Sequence, residues 1–566
     1  MNAKTVGFVT FECELAPLGG LAAVMRVLPQ AFTRLPGWSS FILAPFFRTI
    51  TRCHPKMYDA IQTTGQEFPV VYGDHSHEAE VFQYMGHPEC PIFLIDSPGF
   101  FNPPCDCGDP PNPQRPCNPY LYPDQPQQLL EDSLFFCAAV PKALQALGLT
   151  NDIVLSLQDW ETAAVGLTIQ KYPILSSVAC VLTLHNSYDH DITKTEMQRI
   201  FSKPIKGSSI LNKVIPLLDS PLCTVSEQFA SELENEPLHS KVYAPHLQDG
   251  FKQKTIVGIN NGLFGQRDFP EHLLSQTGDR QLELLLQEKQ QRQSDMIQVL
   301  QEYQPDQAWG QLTWDDFHGP IFLFLGRDDS RQKGFDLAAA AIQHIPLGQA
   351  KYIFTPIPGD EGLEGLHFLR DLAESRSGEV KVFPFRMAQG FMELQKGASY
   401  MVLCSFYEPF GAASEGYAVG TPIVARATGG LIQQVVPYPS PCCTPLVQKL
   451  AGTFHGDTAS PTGFLFREPE LPSKVVESGW KSILACKYWP DGNRLEERKN
   501  LALFESMVES ASLALRDAIE VHSTAPLKYA QMIRAGFDLL DHFSWDTAVE
   551  KYAAVFREAK PPHSSK

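Results

Sequence analysis

The sequence predicts an α/β protein of two units, each built on a mostly parallel β-sheet. Short apolar runs bounded by polar residues or glycine recur along the chain, and they have the length of buried strands. Roughly 20 to 40 residues separate most neighbouring runs, which leaves room for the crossover helices that parallel strands need. A polar, glutamine-rich segment divides the runs into two series, and 566 residues suffice for two large domains.

The glutamine-rich segment has leucines at helical spacing and is predicted to form a helical connector. Near the end of the sequence, Ser544 is an N-cap candidate for a closing helix that packs back across both units. We predict domains at residues 1–265 and 311–540, the connector at 266–310 and the closing helix at 541–566. The predicted strands are "TVGFVTF", "WSSFILAPF", "CPIFLID", "DIVLSLQ", "VACVLTLH", "PLCTVS" and "TIVGINNG" in the first unit, and "GPIFLFLGR", "AKYIFTPI", "EVKVFPF", "YMVLCSF" and "PIVARATGG" in the second.

The bulk composition argues against several functions. The formal net charge is −18 at pH 7, so the surface repels nucleic acid and anionic membranes. No apolar stretch of the sequence reaches the roughly 18 to 20 residues of a membrane-spanning helix. The first residues lack a signal-peptide pattern, and 13 scattered cysteines are typical of reduced thiols. We therefore expect a cytoplasmic protein without a nucleic-acid partner or a membrane span.

One region, residues 100–128, interrupts the alternation of strands and helices. Its prolines prevent regular secondary structure, so we expect a long loop near the active cleft. Cys105, Cys107 and Cys117 raise the alternative of a zinc site. Three cysteines at this spacing are one ligand short and do not match a zinc ribbon, so the loop is preferred and no metal is predicted.

Two groups of candidate binding residues follow predicted strands of the first unit. Gly19 and Gly20 come after the first strand and open a helix, where backbone N–H groups can approach a phosphate or sugar without a Cβ in the way. Plain packing is the alternative for such a turn. Asp159, His185 and Asn186 follow two later strands. Because ligands of open parallel sheets bind at the carboxyl ends of strands, a site is favoured over a buried structural histidine.

The second unit carries two cations at a similar position. Arg327 ends a predicted strand, and Lys333 precedes a glycine that opens a helix. Two fixed cations at a strand–loop–helix junction suit a diphosphate through charge and hydrogen bonding. A solvated basic loop is the alternative, although two aspartates beside the cations dilute its charge.

The stretch "EPFGAASEGYAVGTPIVARATGGL" combines acids and glycines. Glu408 follows a predicted strand and Glu415 lies on the short helix beyond it, so both carboxylates are expected to face one cleft. There a carboxylate can accept hydrogen bonds from sugar hydroxyls. The turn of Thr428, Gly429 and Gly430 can offer backbone N–H groups to a phosphate oxygen.

Nine stretches, in the same order along nearly the full length, resemble the bacterial glycogen synthase and plant starch synthase family. Each alone is modest, and the ordered set is specific for the superfamily. The resemblance implies the GT-B fold, in which two Rossmann-like domains face a central cleft, and a retaining glycosyltransferase activity. The stretches are "ELAPLGGLAAV", "LQDWETAAVGL", "TLHNS", "CTVSEQFASEL", "GINNGL", "GRDDSRQKGFDL", "EPFGAASEGYAVGTPIVARATGGL", "TGFLF" and "FSWDTAVEKYAAVFRE".

The resemblance also implies roles for individual residues. Arg327 and Lys333 would hold the donor's diphosphate, Glu408 would lie beside the donor sugar, and His185 would touch the transferred sugar. Such enzymes need no metal and close over a nucleotide-sugar donor, so no cofactor is expected. The other residues implied are Asp159 and Asn186 on the acceptor side and, at the donor's phosphates, Gly19, Gly20, Thr428, Gly429 and Gly430.

Two departures from the family pattern leave the acceptor open. The family usually has a lysine just before the first Gly-Gly pair, where this chain has Leu18. The stretch between Glu408 and Gly420 is one residue shorter than the family pattern, which rotates its helix by about 100° if nothing compensates. The residues also leave open the donor nucleotide, whether ADP, UDP or GDP, the exact sugar and the oligomeric state.

The sequence favours an enzyme that moves a hexosyl unit, preferably glucose, from a nucleotide diphosphate sugar to an α-glucan. The first alternative is the same donor chemistry on a small-molecule acceptor. A GT-B phosphorylase would need a lysine placed for pyridoxal phosphate, and the sequence offers no context for one. A non-catalytic sugar-nucleotide-binding protein is disfavoured because Arg327, Lys333, Glu408 and His185 are retained.

Overall fold

The computed structural model describes residues 4–17, 19–53, 55–103, 126–315, 317–359, 362–456, 458–485 and 493–562. Their contacts divide the chain into two compact units. The first unit contains Met1–Phe264 and Ser544–Lys566, and the second contains Gly265–Phe543. Leu18 and the three cysteines of the predicted loop, Cys105, Cys107 and Cys117, lie outside the described residues.

The sheet of the first unit has nine strands within the described part of the chain. They are β1 (Lys4–Val9), β2 (Trp38–Pro45), β3 (Ile61–Tyr72), β4 (His75–Tyr84), β5 (Ile92–Asp96), β6 (Ile153–Gln158), β7 (Ala179–Leu184), β8 (Leu222–Thr224) and β9 (Ile256–Gly258). The order is β3-β4-β5-β2-β1-β6-β7-β8-β9, with β4 antiparallel to both its neighbours and the other pairs parallel. All seven predicted strands are confirmed, whereas the β3–β4 hairpin was not predicted.

Helices of the first unit connect these strands and cover the sheet. Every residue of β6 and β7 is buried, as expected for parallel strands covered on both faces. Four 3₁₀ turns, Ile169–Lys171, Pro173–Leu175, Ile215–Leu217 and Pro245–Leu247, and one π turn, Leu238–Tyr243, add to the connections within the described residues. The helices are α1 (Gly20–Arg34), α2 (Ile50–Cys53), α3 (Pro55–Tyr58), α4 (Pro126–Ala146), α5 (Asp159–Ala163), α6 (Val165–Thr168), α7 (Lys194–Gln198), α8 (Ile210–Val214), α9 (Glu227–Asn235) and α10 (Gln248–Lys252).

The sheet of the second unit has seven strands among the residues that the structure describes. They are β10 (Trp309–Leu312), β11 (Ile321–Arg327), β12 (Lys351–Ile357), β13 (Glu379–Val382), β14 (Tyr400–Leu403), β15 (Ile423–Arg426) and β16 (Gly463–Phe466). The order is β10-β13-β12-β11-β14-β15-β16, and only β10 is antiparallel to its neighbour in this set. The five predicted strands of this unit are confirmed, and β10 and β16 are additional strands at the two edges of the sheet.

The helix predicted in the glutamine-rich segment is present as a 25-residue helix of the second unit. Two 3₁₀ turns, Glu364–Leu366 and Leu540–His542, also belong to this unit. The helices are α11 (Glu271–Leu274), α12 (Gly278–Glu302), α13 (Phe335–Gln343), α14 (His367–Ser375), α15 (Phe391–Gly397), α16 (Ala413–Ala418), α17 (Gly430–Gln434), α18 (Pro445–Ala451), α19 (Ser473–Ala485), α20 (Arg494–Arg498), α21 (Ala502–Thr524) and α22 (Pro526–Leu539). Within the described ranges, no helix combines the length and apolar character needed to cross a bilayer.

The closing helix α23 (Trp545–Glu558) belongs to the first unit. Its N-cap is Ser544, as predicted, and the Ser544 hydroxyl accepts a hydrogen bond from the Asp546 N–H at 3.2 Å. The ring of Phe556 stacks on that of Phe32 of α1, with the two ring centroids 5.6 Å apart. The last helix of the chain thus packs into the core of the first unit.

Both sheets contain a point at which successive strands change direction across the sheet. In the first unit, β2 and β5 lie on one side of β1, and β6 to β9 lie on the other. In the second unit, β12 and β13 lie on one side of β11, and β14 to β16 lie on the other. Ligands of open α/β sheets bind beyond the carboxyl ends of the two strands at such a switch point. The segments that follow β1 and β6, and those that follow β11 and β14, are therefore where a site is expected.

Candidate active site

The glycine pair after β1 lies at the start of α1. Gly19 is the N-cap of α1, and its N–H donates a hydrogen bond to Glu12 Oε2 at 2.7 Å. A Cβ added at Gly20 would meet no atom of the described residues within 4 Å. Close packing therefore does not account for Gly20. An anionic ligand at this turn would have to replace the Glu12 carboxylate on the Gly19 amide.

The first residue after β6, Asp159, joins the ends of two neighbouring strands. Its Oδ1 accepts the His185 backbone N–H at 2.7 Å, and its Oδ2 accepts the Asn186 side-chain amide at 3.3 Å. Asp159 is buried and has a φ of 55°, a left-handed conformation that is uncommon for a residue other than glycine. Burial, together with the nearby Glu161 carboxylate, raises the pKa of Asp159. The side chain predicted on the acceptor side thus holds the segment that carries His185.

His185 lies directly after β7 and is partly exposed. Its Nε2 is 2.7 Å from Oε1 of Gln158, the last residue of β6. Burial of the ring lowers the pKa of His185 to about 3, so the imidazole is neutral at physiological pH. The Oδ1 of Asn186 accepts the Tyr188 N–H at 2.7 Å, an Asx turn that shapes the loop after His185.

At the switch point of the second sheet, Lys333 and Glu408 form one ion pair. The Lys333 Nζ lies 2.6 Å from Glu408 Oε2, and the Ser405 hydroxyl donates to the same oxygen at 2.9 Å. The Glu408 side chain is only 9% exposed and that of Lys333 is 25% exposed. The structure therefore brings together two predicted site residues that follow β11 and β14 and are 75 positions apart in the sequence.

Arg327, the last residue of β11, is one-third exposed and lies 3.6 Å from Asp329. Arg331 contacts the same carboxylate at 3.7 Å. Asp328 is directed inward instead, where its two oxygens accept hydrogen bonds from Arg494 at 2.6 and 2.9 Å. Only one of the two neighbouring aspartates therefore offsets the Arg327 charge, and the loop is more cationic than its sequence indicates.

Glu415 lies on α16 and is close enough to the ion pair to be influenced by it. Burial raises the pKa of Glu415, Lys333 lowers it and Glu408 raises it further. The shorter stretch between Glu408 and Gly420 thus still leaves the second carboxylate within electrostatic range of the first.

The turn of Thr428, Gly429 and Gly430 packs against the backbone of Glu408. Gly429 has a φ of 49°, and a Cβ at this position would lie 1.8 Å from the Glu408 carbonyl oxygen. The Gly430 N–H donates to that same oxygen at 3.0 Å, and a Cβ on Gly430 would lie 2.2 Å from the carbonyl oxygen of Phe410. The two glycines therefore permit a close backbone contact that fixes Glu408, besides any role toward a phosphate.

Three buried interactions that support the site were missed from the sequence. Arg426 donates from Nε to Glu468 Oε2 at 2.9 Å and from Nη1 to the Phe406 carbonyl at 2.6 Å, so it supports the loop that ends in Glu408. Burial alone would raise the pKa of Glu468, but the guanidinium groups of Arg426 and Arg467 hold it at about 2.

The second interaction is the contact of Gln158 with His185. The third is the set of Asp328 and Asp336 with Arg494 and Arg498, in which Arg498 Nη1 donates to Asp336 Oδ2 at 2.7 Å. An arginine inside an apolar strand, as in "PIVARATGG", was the available signal for Arg426.

A cavity of about 1000 Å³ occupies a different part of the second unit. Residues of α12, α21 and the segment between β10 and β11 line it, among them Lys289, Gln293, Trp314, Phe317, Arg516 and His522. No predicted site residue belongs to its lining. In the described part of the chain, no group of three or more His, Cys, Asp or Glu side chains is arranged to hold a metal ion.

Two family profiles match the chain in succession. The family described as "Starch synthase catalytic domain" matches residues 5–241, and "Glycosyl transferases group 1" matches residues 317–441. A glycogen synthase of Fervidobacterium nodosum is 24% identical over 461 residues, which cover 76% of this chain and 85% of the relative. A glycogen synthase of Dechloromonas aromatica is 25% identical over 485 residues, 81% of this chain and 89% of the relative.

The chain is similar to glycogen and starch synthases over most of its length, as a divergent relative. It is a glycosyltransferase, as expected from the sequence. The catalytic domain of starch synthase IV from Arabidopsis thaliana, solved with ADP and acarbose, has a TM-score of 0.68 and 16% identity over 99% of each chain. A sucrose-phosphate synthase from Thermosynechococcus elongatus has a TM-score of 0.50 and 15% identity over 98% of each chain. The predicted GT-B fold is confirmed.

Proposed function

We propose that this glycosyltransferase transfers a hexosyl unit, glucose, from a nucleoside diphosphate sugar to an α-glucan with retention of anomeric configuration. The observation that carries the proposal is the Lys333–Glu408 ion pair at the switch point of the second sheet. It combines a cation suited to a diphosphate with a carboxylate suited to sugar hydroxyls, at the position where open α/β sheets bind ligands. The relatives named glycogen synthases support glucose and a glucan as substrates.

In this proposal the donor's diphosphate is bound by Arg327 and Lys333. Arg327 ends β11 and Lys333 follows it. Both side chains retain some exposure, and that of Lys333 is largely buried. When the bond between the sugar and the diphosphate breaks, negative charge accumulates on the leaving diphosphate. Cations fixed beforehand stabilise that charge strongly in a site that excludes water. No metal or other cofactor is included in the proposal.

Glu408 binds hydroxyls of the transferred sugar, and the structure holds its backbone and its side chain separately. The Gly430 N–H holds the carbonyl, while Lys333 and Ser405 hold the carboxylate. A carboxylate fixed in this way can accept hydrogen bonds with little reorganisation. Thr428, Gly429 and Gly430 remain proposed phosphate contacts. Gly19 and Gly20 of the first unit are proposed phosphate contacts as well.

A small-molecule acceptor is the second candidate, and one observation favours it. The Gly19 amide is occupied by the Glu12 carboxylate in a turn whose preceding residue, Leu18, replaces the usual lysine of the family. A turn that holds a carboxylate and lacks that lysine attracts different acceptor groups. Asp159 and Asn186 stay proposed acceptor-side residues, acting through the loop that they fix.

The test is a matrix of ADP-, UDP- and GDP-glucose with glycogen, malto-oligosaccharides and small glycosyl acceptors, followed by radiolabel incorporation. Incorporation into glycogen from one donor supports the proposal, and labelled low-molecular-weight product alone supports the second candidate. Arg327→Ala should lower kcat/KM by about 10²–10³-fold because leaving-group charge is uncompensated. Arg331→Ala removes the same charge from the same loop and should change the rate less than about threefold. Equal rates for both variants would refute the assignment of Arg327.

A further inference from the structure

The side chain of Gln158 has a fixed orientation at the end of β6. It is 2% exposed, and its Nε2 donates to the Ser156 carbonyl at 3.1 Å and to the Ser156 hydroxyl at 2.8 Å. A carbonyl oxygen can only accept, so the amide nitrogen must face Ser156. The amide oxygen then faces His185 Nε2 at 2.7 Å, which is the distance of a good hydrogen bond.

This orientation determines where the imidazole of His185 carries its proton. An amide oxygen has no hydrogen to donate, so Nε2 must be the donor and must be protonated. Burial lowers the pKa of His185 to about 3, so the ring carries one proton only. The other nitrogen, Nδ1, is then a hydrogen-bond acceptor.

The residue after Gln158 holds the backbone of His185. Asp159 accepts the His185 N–H at 2.7 Å while its own backbone has a φ of 55°. The ring and the main chain of His185 are thus held by consecutive residues of one strand end. Gln158 itself is buried, whereas His185 is partly exposed.

We propose that Gln158 is a positioning residue that fixes His185 as the neutral Nε2–H tautomer, so that Nδ1 accepts a hydrogen bond from a hydroxyl of the transferred hexosyl unit. The identity of the hydroxyl ligand rests on the proposed function. Glycosyl transfer passes through a transition state with positive charge on the sugar, and a neutral acceptor stabilises such a state better than an imidazolium does. The opposite tautomer would present an N–H donor to the same hydroxyl.

The first test is a long-range ¹H–¹⁵N NMR spectrum of the full chain with ring-¹⁵N histidine. The His185 signals are identified by their loss in His185→Gln. We expect a protonated Nε2 and an unprotonated Nδ1 from pH 6 to pH 8, and a shift of the Nδ1 signal when the nucleotide sugar that serves as donor is added. Protonated Nδ1 in the wild-type protein would overturn the proposal whether or not the protein transfers hexose.

The second test compares Gln158→Leu and Gln158→Glu with the control Gln170→Leu. Gln170 lies in the same unit and donates to the Gly166 carbonyl at 2.9 Å, away from His185. Gln158→Leu should give a mixture of His185 tautomers and lower kcat by about 10- to 100-fold with little change in KM, since it leaves the Nε2–H without an acceptor. Gln158→Glu keeps an acceptor but favours the imidazolium, so kcat should fall as the pH is lowered through the neutral range.

His239 provides an internal reference in the same spectra. It is a second buried histidine of this unit, its Nδ1 lies 3.0 Å from the Ser187 hydroxyl, and burial lowers its pKa to about 3. Its signals should not change in the Gln158 variants; a change would show a general disturbance of the fold. A tautomer mixture with wild-type kcat would refute the catalytic part of the proposal. Absence of any hexosyl transfer by the wild type would refute the proposed function, while the spectrum would still decide the tautomer.

Discussion

Replacing Gly429 by alanine tests whether the glycine turn holds Glu408. The added Cβ would lie 1.8 Å from the Glu408 carbonyl oxygen and 2.7 Å from its carbonyl carbon. Contacts below 3.0 Å do not persist for a real Cβ, so the turn has to move by more than about 1 Å. That displacement breaks the hydrogen bond from the Gly430 N–H to the same carbonyl.

The magnitude follows from two contributions. Gly429 has φ 49° and ψ −141°, close to a region that only glycine occupies readily, so alanine costs about 1–3 kcal/mol of backbone strain. The lost hydrogen bond costs about 1 kcal/mol more. The sum, about 2–4 kcal/mol, corresponds to a fall of roughly 5–15 °C in the unfolding midpoint of the second unit. Because Glu408 is displaced as well, the rate of hexosyl transfer should fall at temperatures where the variant is folded.

The assay is thermal unfolding of the full chain by calorimetry, together with initial rates of transfer at 20 °C. Gly265→Ala is the matched control, because Gly265 is exposed, belongs to the same unit and would present its Cβ to no atom within 4 Å. Its midpoint should stay within about 2 °C of wild type. A Gly429→Ala protein with the wild-type midpoint and rate would refute the reasoning.

Three further predictions concern charge. Lys333→Ala should leave the largely buried Glu408 without its cation and lower kcat/KM by about 10²–10³-fold in a donor-saturation experiment; an unchanged rate would contradict the role of the ion pair. The pKa of Glu468 lies at about 2 instead of 4.5, so its stabilisation is complete above pH 4.5 and is lost as the pH falls toward 2. Glu468→Gln should therefore cost about 3 kcal/mol in urea unfolding at pH 7 and much less at pH 2.5, whereas an equal cost at both pH values would argue against an ionised Glu468. Transfer should continue in excess EDTA, since Arg327 and Lys333 supply the cations for the diphosphate; loss of activity that Mg²⁺ restores would contradict this.

The central strands of both sheets could be predicted from the sequence because they are nearly continuous apolar runs. The missed strands are the β3–β4 hairpin at one end of the first sheet and the two edge strands of the second sheet, β10 and β16. Gly463–Phe466 is fully buried but has only four residues, too few for a clear pattern. The hairpin of Ile61–Tyr72 and His75–Tyr84 alternates buried and exposed residues, and Trp309–Leu312 has no fully buried residue. Their burial depends on neighbours that come from elsewhere in the chain, so a local pattern does not identify them.

The sequence offered candidate site residues, but it did not predict the partners that the structure gives them. Lys333 and Glu408 meet only because β11 and β14 are adjacent, and strand order is not encoded in either segment alone. The same holds for Arg426, whose partner Glu468 is 42 positions away. Gln158 was not predicted as a site residue, because its contact with His185 depends on the neighbouring end of β7.

The buried carboxylates of Asp328 and Asp336 have a consequence for how the protein is made. Their counter-charges, Arg494 and Arg498, come from α20, more than 150 positions later in the chain. During synthesis, the loop with Arg327 and Lys333 therefore emerges from the ribosome long before its two inner acids can be neutralised. Until α20 has been synthesised, Asp328 and Asp336 lack their counter-charges, and burying their carboxylates is unfavourable. The loop with Arg327 and Lys333 should thus be among the last parts of the nascent chain to mature, and in a ribosome-bound chain stalled before α20 this loop should still be cleaved by protease.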